Sequence, residues 1–135
     1  MIKVELEGFD EVQKMFERLG STGERYFQQA LTETAIEGTS GMKENCPVLT
    51  GRLRSSIHHE SPKTKRYTYN SKAGSFNGKL GINLTGLSAA FGTNVDYAEY
   101  VNNRVAFFEK GERRALDVLE QRLTINYDKA IKELT

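Results

Sequence analysis

The run STGERYFQQALTETAIEGTSGMKENCP, residues 21–47, decides the reading of the chain. Tyr26, Phe27, Ala30, Leu31, Thr34, Ala35 and Met42 recur at helical spacing and lay an apolar stripe along one face. Ser21 or Thr22 is placed to cap its start, and Glu24 stands where the positive end of the helix dipole favours an acid. Pro47 ends it, because the residue before a proline is pushed out of the helical region. The spacing predicts a helix of about 20 residues. Gly38, Thr39, Ser40 and Gly41 weaken that helix, yet they allow another backbone to come close.

Working outward, Ile2 to Glu7 alternate apolar and polar residues, the period of a half-buried strand, and Gly8 breaks the run. Asp10 is a suitable cap for a short helix carrying Val12, Met15, Phe16 and Leu19, which Gly20 should stop. After Pro47, Thr50 can cap a single helical turn that sets Leu53 and Ile57 on one side. Ile82 and Leu84, then Leu87, Ala89 and Phe91, give period-2 strands with Gly86 as a bulge. Asp96 can cap a short helix with Tyr97, Tyr100 and Val101 on one face. Leu116, Leu119, Leu123, Tyr127, Ala130, Ile131 and Leu134 form the stripe of a second long helix, on which Glu109 and Arg113 are an i,i+4 pair. The order β-α-α-β-β-β-α predicts an α+β fold, a small antiparallel sheet packed with two long helices and short helical turns. With no repeat or linker, residues 1–135 read as one domain.

Composition narrows the function. The 135 residues hold 19 Lys and Arg against 18 Asp and Glu, a net charge of +1. That balance argues against a surface that coats nucleic acid or anionic lipid as a whole. A 38% hydrophobic share with seven Phe and six Tyr is lean but sufficient for a folded core. It also suits a subunit of an oligomer. No apolar run approaches the roughly 20 residues that span a bilayer, and the N-terminus lacks a signal pattern. No membrane partner is expected. The single Cys46 excludes an internal disulfide framework and a cysteine-based zinc site.

Candidates for chemistry are few. His58 and His59 are neighbours, which point to opposite faces of a strand, and Glu60 follows them without a third His or helical zinc spacing. They read as a solvated strand end. Cys46 has no evident base and reads as a small residue at a helix end. The glycines at 74, 78, 81 and 86 make no phosphate loop, and Ser88 lies in no nucleophile elbow. The reading is a non-enzyme with no cofactor and no metal.

The segment from Ser61 to Lys79 carries Lys63, Lys65, Arg66, Lys72 and Lys79, no acid, and the rings of Tyr67, Tyr69 and Phe76. Turn formers within it predict a long exposed hairpin or loop. Its cations suit a protein partner or phosphates, its rings could stack on bases, and its lysines could simply guard an edge strand.

Two stretches resemble signatures of the tail-component family of long-tailed bacteriophages. Residues 45–57, NCPVLTGRLRSSI, are similar to its pattern P-V-x-T-G-x-L-x-x-S-I. Residues 92–101, GTNVDYAEYV, are similar to G-T-N-V-x-Y-A-x-x-V. An N-terminal helix pair, a variable strand region and Phe107-Phe108 opening the last helix keep the family's order over nearly the whole chain. Asn102-Asn103-Arg104 stand where many relatives have a Glu-x-Gly-Thr turn, and Ala106 where a proline is common.

The resemblance implies a non-enzymatic assembly protein that completes the tail and joins it to the head connector, as a ring. Its implied partners are further copies of itself, the tail-tube protein and the head-tail connector, with non-specific contact to passing DNA as an option. Its implied place is the head-tail interface of the virion, after a period in the host cytoplasm. Pro47, Thr50, Gly51, Leu53, Ile57, Gly92, Tyr97 and Tyr100 are expected to hold the fold, the two tyrosines by packing their helix onto the sheet. Lys63, Lys65, Arg66, Tyr67, Tyr69, Lys72, Phe76 and Lys79 are expected to meet the partner. The competing reading is a small nucleic-acid-binding module built on residues 61–79.

Overall fold

The computed structural model describes residues 2–6, 10–48, 51–64, 66–72 and 74–135, the first of these as backbone. Its elements are β1 (Ile2–Leu6), α1 (Asp10–Glu17), α2 (Gly20–Glu44), α3 (Arg52–Ser56), β2 (His58–Glu60), β3 (Thr68–Ser71), β4 (Gly74–Asn77), β5 (Ala89–Thr93), α4 (Ala98–Val105) and α5 (Phe107–Leu134). The fold is α+β. One sheet has the order β1-β5-β2, all antiparallel, and β3 with β4 forms a separate hairpin. Every residue of β5 is buried, as befits a central strand.

The two long helices run antiparallel, and small residues decide how close they come. A Cβ on Gly111 would lie 2.4 Å from Met42 Cγ and 2.6 Å from the Gly38 carbonyl oxygen. A Cβ on Gly38 would enter the Phe91 ring of β5 at 2.4 Å. The weak spot foreseen in the first helix is therefore where α2 meets both the sheet and α5. Beside that seam, Arg114 bridges Glu37 (2.9 Å) and Glu44 (2.7 Å), and Asn126 donates to Glu33 at 2.8 Å. Arg25 pairs with Glu133 at the far end.

Four expectations are corrected. The stripe expected on α5 is rotated: Phe107, Gly111, Ala115, Asn126 and Ala130 are buried, whereas Leu116 is 59% exposed and Ile131 and Leu134 also face outward. Gly20 opens α2 instead of stopping α1, and neither Ser21 nor Thr22 caps it. Here the first turn of α2 abuts the end of α1, where a Cβ on Gly23 would lie 1.9 Å from the Phe16 carbonyl oxygen. No strand forms over residues 81–88. Side chains take up backbone groups there: Gln28 makes two hydrogen bonds to the Ser88 backbone, and Glu60 accepts from Leu80 N. Asp96 lies exposed in the turn before α4, and no side chain caps that helix.

Candidate functional site

The hairpin and its neighbours build a column of stacked groups. The His58 ring stacks on Tyr67 with centroids 3.9 Å apart, Tyr67 on Tyr69 at 6.1 Å, and Tyr69 on Phe76 at 5.5 Å. The Arg52 guanidinium lies 4.0 Å from the Phe76 centroid and 5.7 Å from that of Tyr97. Its hydrogen bond to Tyr69 holds its pKa above the usual arginine value. Burial, then the neighbouring Tyr69, pushes the Tyr67 phenol up as well, and its hydroxyl donates to the Ser55 carbonyl at 2.7 Å. Gly78 leaves room for the stack, since a Cβ there would lie 2.6 Å from Tyr67 Cδ1.

The sequence predicted an exposed segment, and the structure divides it. Lys63, Arg66 and Lys72 are exposed, and Lys79 is half-buried. Tyr69 is only 5% exposed, and Tyr67 and Phe76 are half-buried. Lys65 lies outside the described residues. The rings therefore point inward as a pedestal, and the cations point outward.

Below the pedestal, the solvated strand end becomes a buried pair. His58 and Glu60 lie two residues apart on β2, so they share a face. His58 Nε2 meets Glu60 Oε2 at 2.6 Å, and His58 Nδ1 meets the Ser56 carbonyl at 2.9 Å. Both nitrogens face acceptors, the arrangement of an imidazolium against a carboxylate. His59 points the other way, and burial first, then His58 and Lys43, lower its pKa. Glu60 also accepts from Leu80 N at 2.8 Å, which fixes the hairpin's return strand to the sheet. Asn94 of the second signature ties down the same segment through the Asn77 and Lys79 carbonyls, both at 3.0 Å. Asn94 and Glu60 were missed as organisers of this site.

The first signature forms the approach to the column. Pro47 is exposed, and Thr50 lies outside the described residues. Gly51 has φ 80, a left-handed conformation that favours glycine, and from it α3 starts and buries Leu53 and Ile57 in the core. Cys46 is buried there, and desolvation pushes its thiol up to about 11. In the second signature, Gly92 lies within β5 at φ 154. Tyr97 and Tyr100 do not pack on the sheet as expected: they are 37% and 65% exposed. Ala98 is the buried residue of α4, with Val101 and Val105 packed partly against the core. The unusual Asn102 has a clear local task, accepting from Phe108 N at 2.8 Å and donating to Glu109 at 3.0 Å. It spans a turn in which Ala106 adopts φ 51, in the left-handed region.

Chemically, this arrangement offers a rigid basic edge. Among the described residues no three His, Cys, Asp or Glu side chains gather as a metal site would need. No described helix is long and apolar enough to cross a membrane.

Comparison with known families gives a match over residues 10–103 to the one described as "Bacteriophage HK97-gp10, putative tail-component". Neither a curated protein nor a solved structure matches the chain. The matched span begins with α1, runs through the hairpin and the whole of β5, and ends within α4, so it takes in both signatures. The chain belongs to the bacteriophage HK97-gp10 tail-component family, and is thus a structural, virion-associated protein that acts through contacts with other virion proteins.

Proposed function

We propose that this tail component completes the tail and joins it to the head connector, several copies closing into a ring, with residues 61–79 meeting the connector or the tail tube. The observation that carries this reading is the division of the hairpin into an inward aromatic pedestal and an outward row of Lys63, Arg66 and Lys72. A strand pair braced by stacked rings presents its cations in fixed positions, which favours recognition of an acidic protein surface. The competing nucleic-acid module needs rings free to stack on bases. Here the rings of Tyr67, Tyr69 and Phe76 are stacked on one another, on His58 and beneath Arg52.

The same burial changes how the reading is tested. Deleting residues 63–78, which the sequence suggested as harmless to the core, would remove Tyr69 from it. Reversing only the exposed cations leaves the pedestal in place. Electron microscopy of lysates from phage lacking the gene should show filled heads beside detached tails, restored to joined particles by a complementing copy. A copy carrying Lys63→Glu, Arg66→Glu and Lys72→Glu should be folded yet fail to restore them. Intact, infectious particles without the gene would refute the joining role.

A further inference from the structure

We infer that the exposed aromatic edge of α4 docks into the groove between α1 and α5 of a second copy of this chain. The inference rests on the ring reading and names the two faces that would close it.

The donor edge is Tyr97 and Tyr100, large rings left in water at 37% and 65% exposure. Arginines hold both: Arg52 lies over Tyr97, and Arg104 donates to the Tyr100 hydroxyl at 3.2 Å. Preordered tyrosines and arginines of this kind dominate the energetics of protein interfaces, because little side-chain freedom remains to be lost. The acceptor is a groove of about 350 Å³ whose apolar walls include Val12, Met15, Leu123 and Tyr127. The charged residues lining it are both acids, Glu120 and Asp128, and Asp117 lines the depression beside it.

Charge selects the occupant. Arg52 and Arg104 meet acids across such a contact, and although Asp96 and Glu99 share the donor edge, the adjoining Arg66 and Lys72 leave that face net basic. The two faces cannot meet within one chain. α4 leads into the start of α5 at Phe107, and the groove is centred near Leu123, about 24 Å further along the helix at roughly 1.5 Å per residue. A knob and a socket at separate places on one subunit make a heterologous contact, the kind that propagates around a ring.

Tyr100→Cys and Thr124→Cys, each in a Cys46→Ser background, put one thiol on the edge and one in the groove. Both positions are exposed, so folding is checked simply by unchanged thermal melting. The two proteins are treated with a short bismaleimide, separately and mixed, as concentrated protein and on particles assembled with them. Covalent dimers in the mixture, and none with either variant alone, are expected. Dimers from Tyr100→Cys alone would mean a symmetric contact and overturn the assignment. So would absence of cross-links in samples that sedimentation shows to be assembled, with the ring reading left standing. If the protein is monomeric in solution and single on particles, the ring reading falls and this one with it. As an independent check, Arg104→Glu and Glu120→Arg should each weaken self-association by at least about tenfold, and the double variant should recover part of it. No recovery together with unchanged single variants would also overturn it.

Discussion

The seam between α2 and α5 and the column under the hairpin solve the same packing problem in opposite ways. Along the seam, Gly38, Gly41 and Gly111 let backbones approach until a single methyl group does not fit. Charged side chains are kept to its flanks, where Arg114, Glu37 and Glu44 remain partly solvated. In the column, large rings carry the contact, and a charged pair, His58 with Glu60, is buried at its foot. The contrast shows where each region is vulnerable. The seam tolerates loss of charge but not added volume, and the column tolerates little loss of charge.

Glu60→Ala is the most severe test. It removes the partner of His58 and the acceptor of Leu80 N together, leaving two buried donors unpaired. Breaking one side of a buried pair costs about 3–5 kcal/mol. Urea unfolding should show a loss of that size, and a loss under about 1 kcal/mol would mean that water reaches the pair. Gly111→Ala should follow. Its new methyl meets Met42 and the Gly38 carbonyl, and overpacking of this kind costs about 1–3 kcal/mol. A neutral result would show that the two helices slide apart freely, and the contrast with the column would then fail.

How much of this was legible in sequence follows from the same contrast. The long helices and the turn around Pro47 and Gly51 could be read because periodicity and backbone geometry are local properties. The face of α5 could not. Periodicity weighs bulk, so it pointed to Leu116, Ile131 and Leu134, whereas the close approach of α2 selects Gly111 and Ala115. Tyr97 and Tyr100 share a helix face as their spacing implied, but spacing does not say whether that face turns inward. The basic hairpin was legible as an element and as a cluster of exposed cations. The inward turn of its rings was not, because it depends on His58 and Arg52 arriving from other elements. Likewise, the two-residue spacing of His58 and Glu60 put them on one face, yet charged residues are solvated by default and only the covering hairpin buries them.

The smallest expected effect separates the two sides of β2. His59 faces away from the His58–Glu60 pair, half-buried, and its pKa is lowered chiefly by that burial. The unfolded chain, titrating near the usual histidine value of about 6.5, takes up a proton before the folded one does. Stability from this residue is therefore complete above that pH and is lost as pH falls toward the lowered folded value. Carboxylates elsewhere also weaken the fold in acid, so the readout is a difference between proteins. The stability of the wild type minus that of His59→Gln should decline between pH 7 and pH 5. A flat difference would mean that water reaches the His59 side of the strand as readily in the folded chain as in the unfolded one, and only the His58 side would then be sealed.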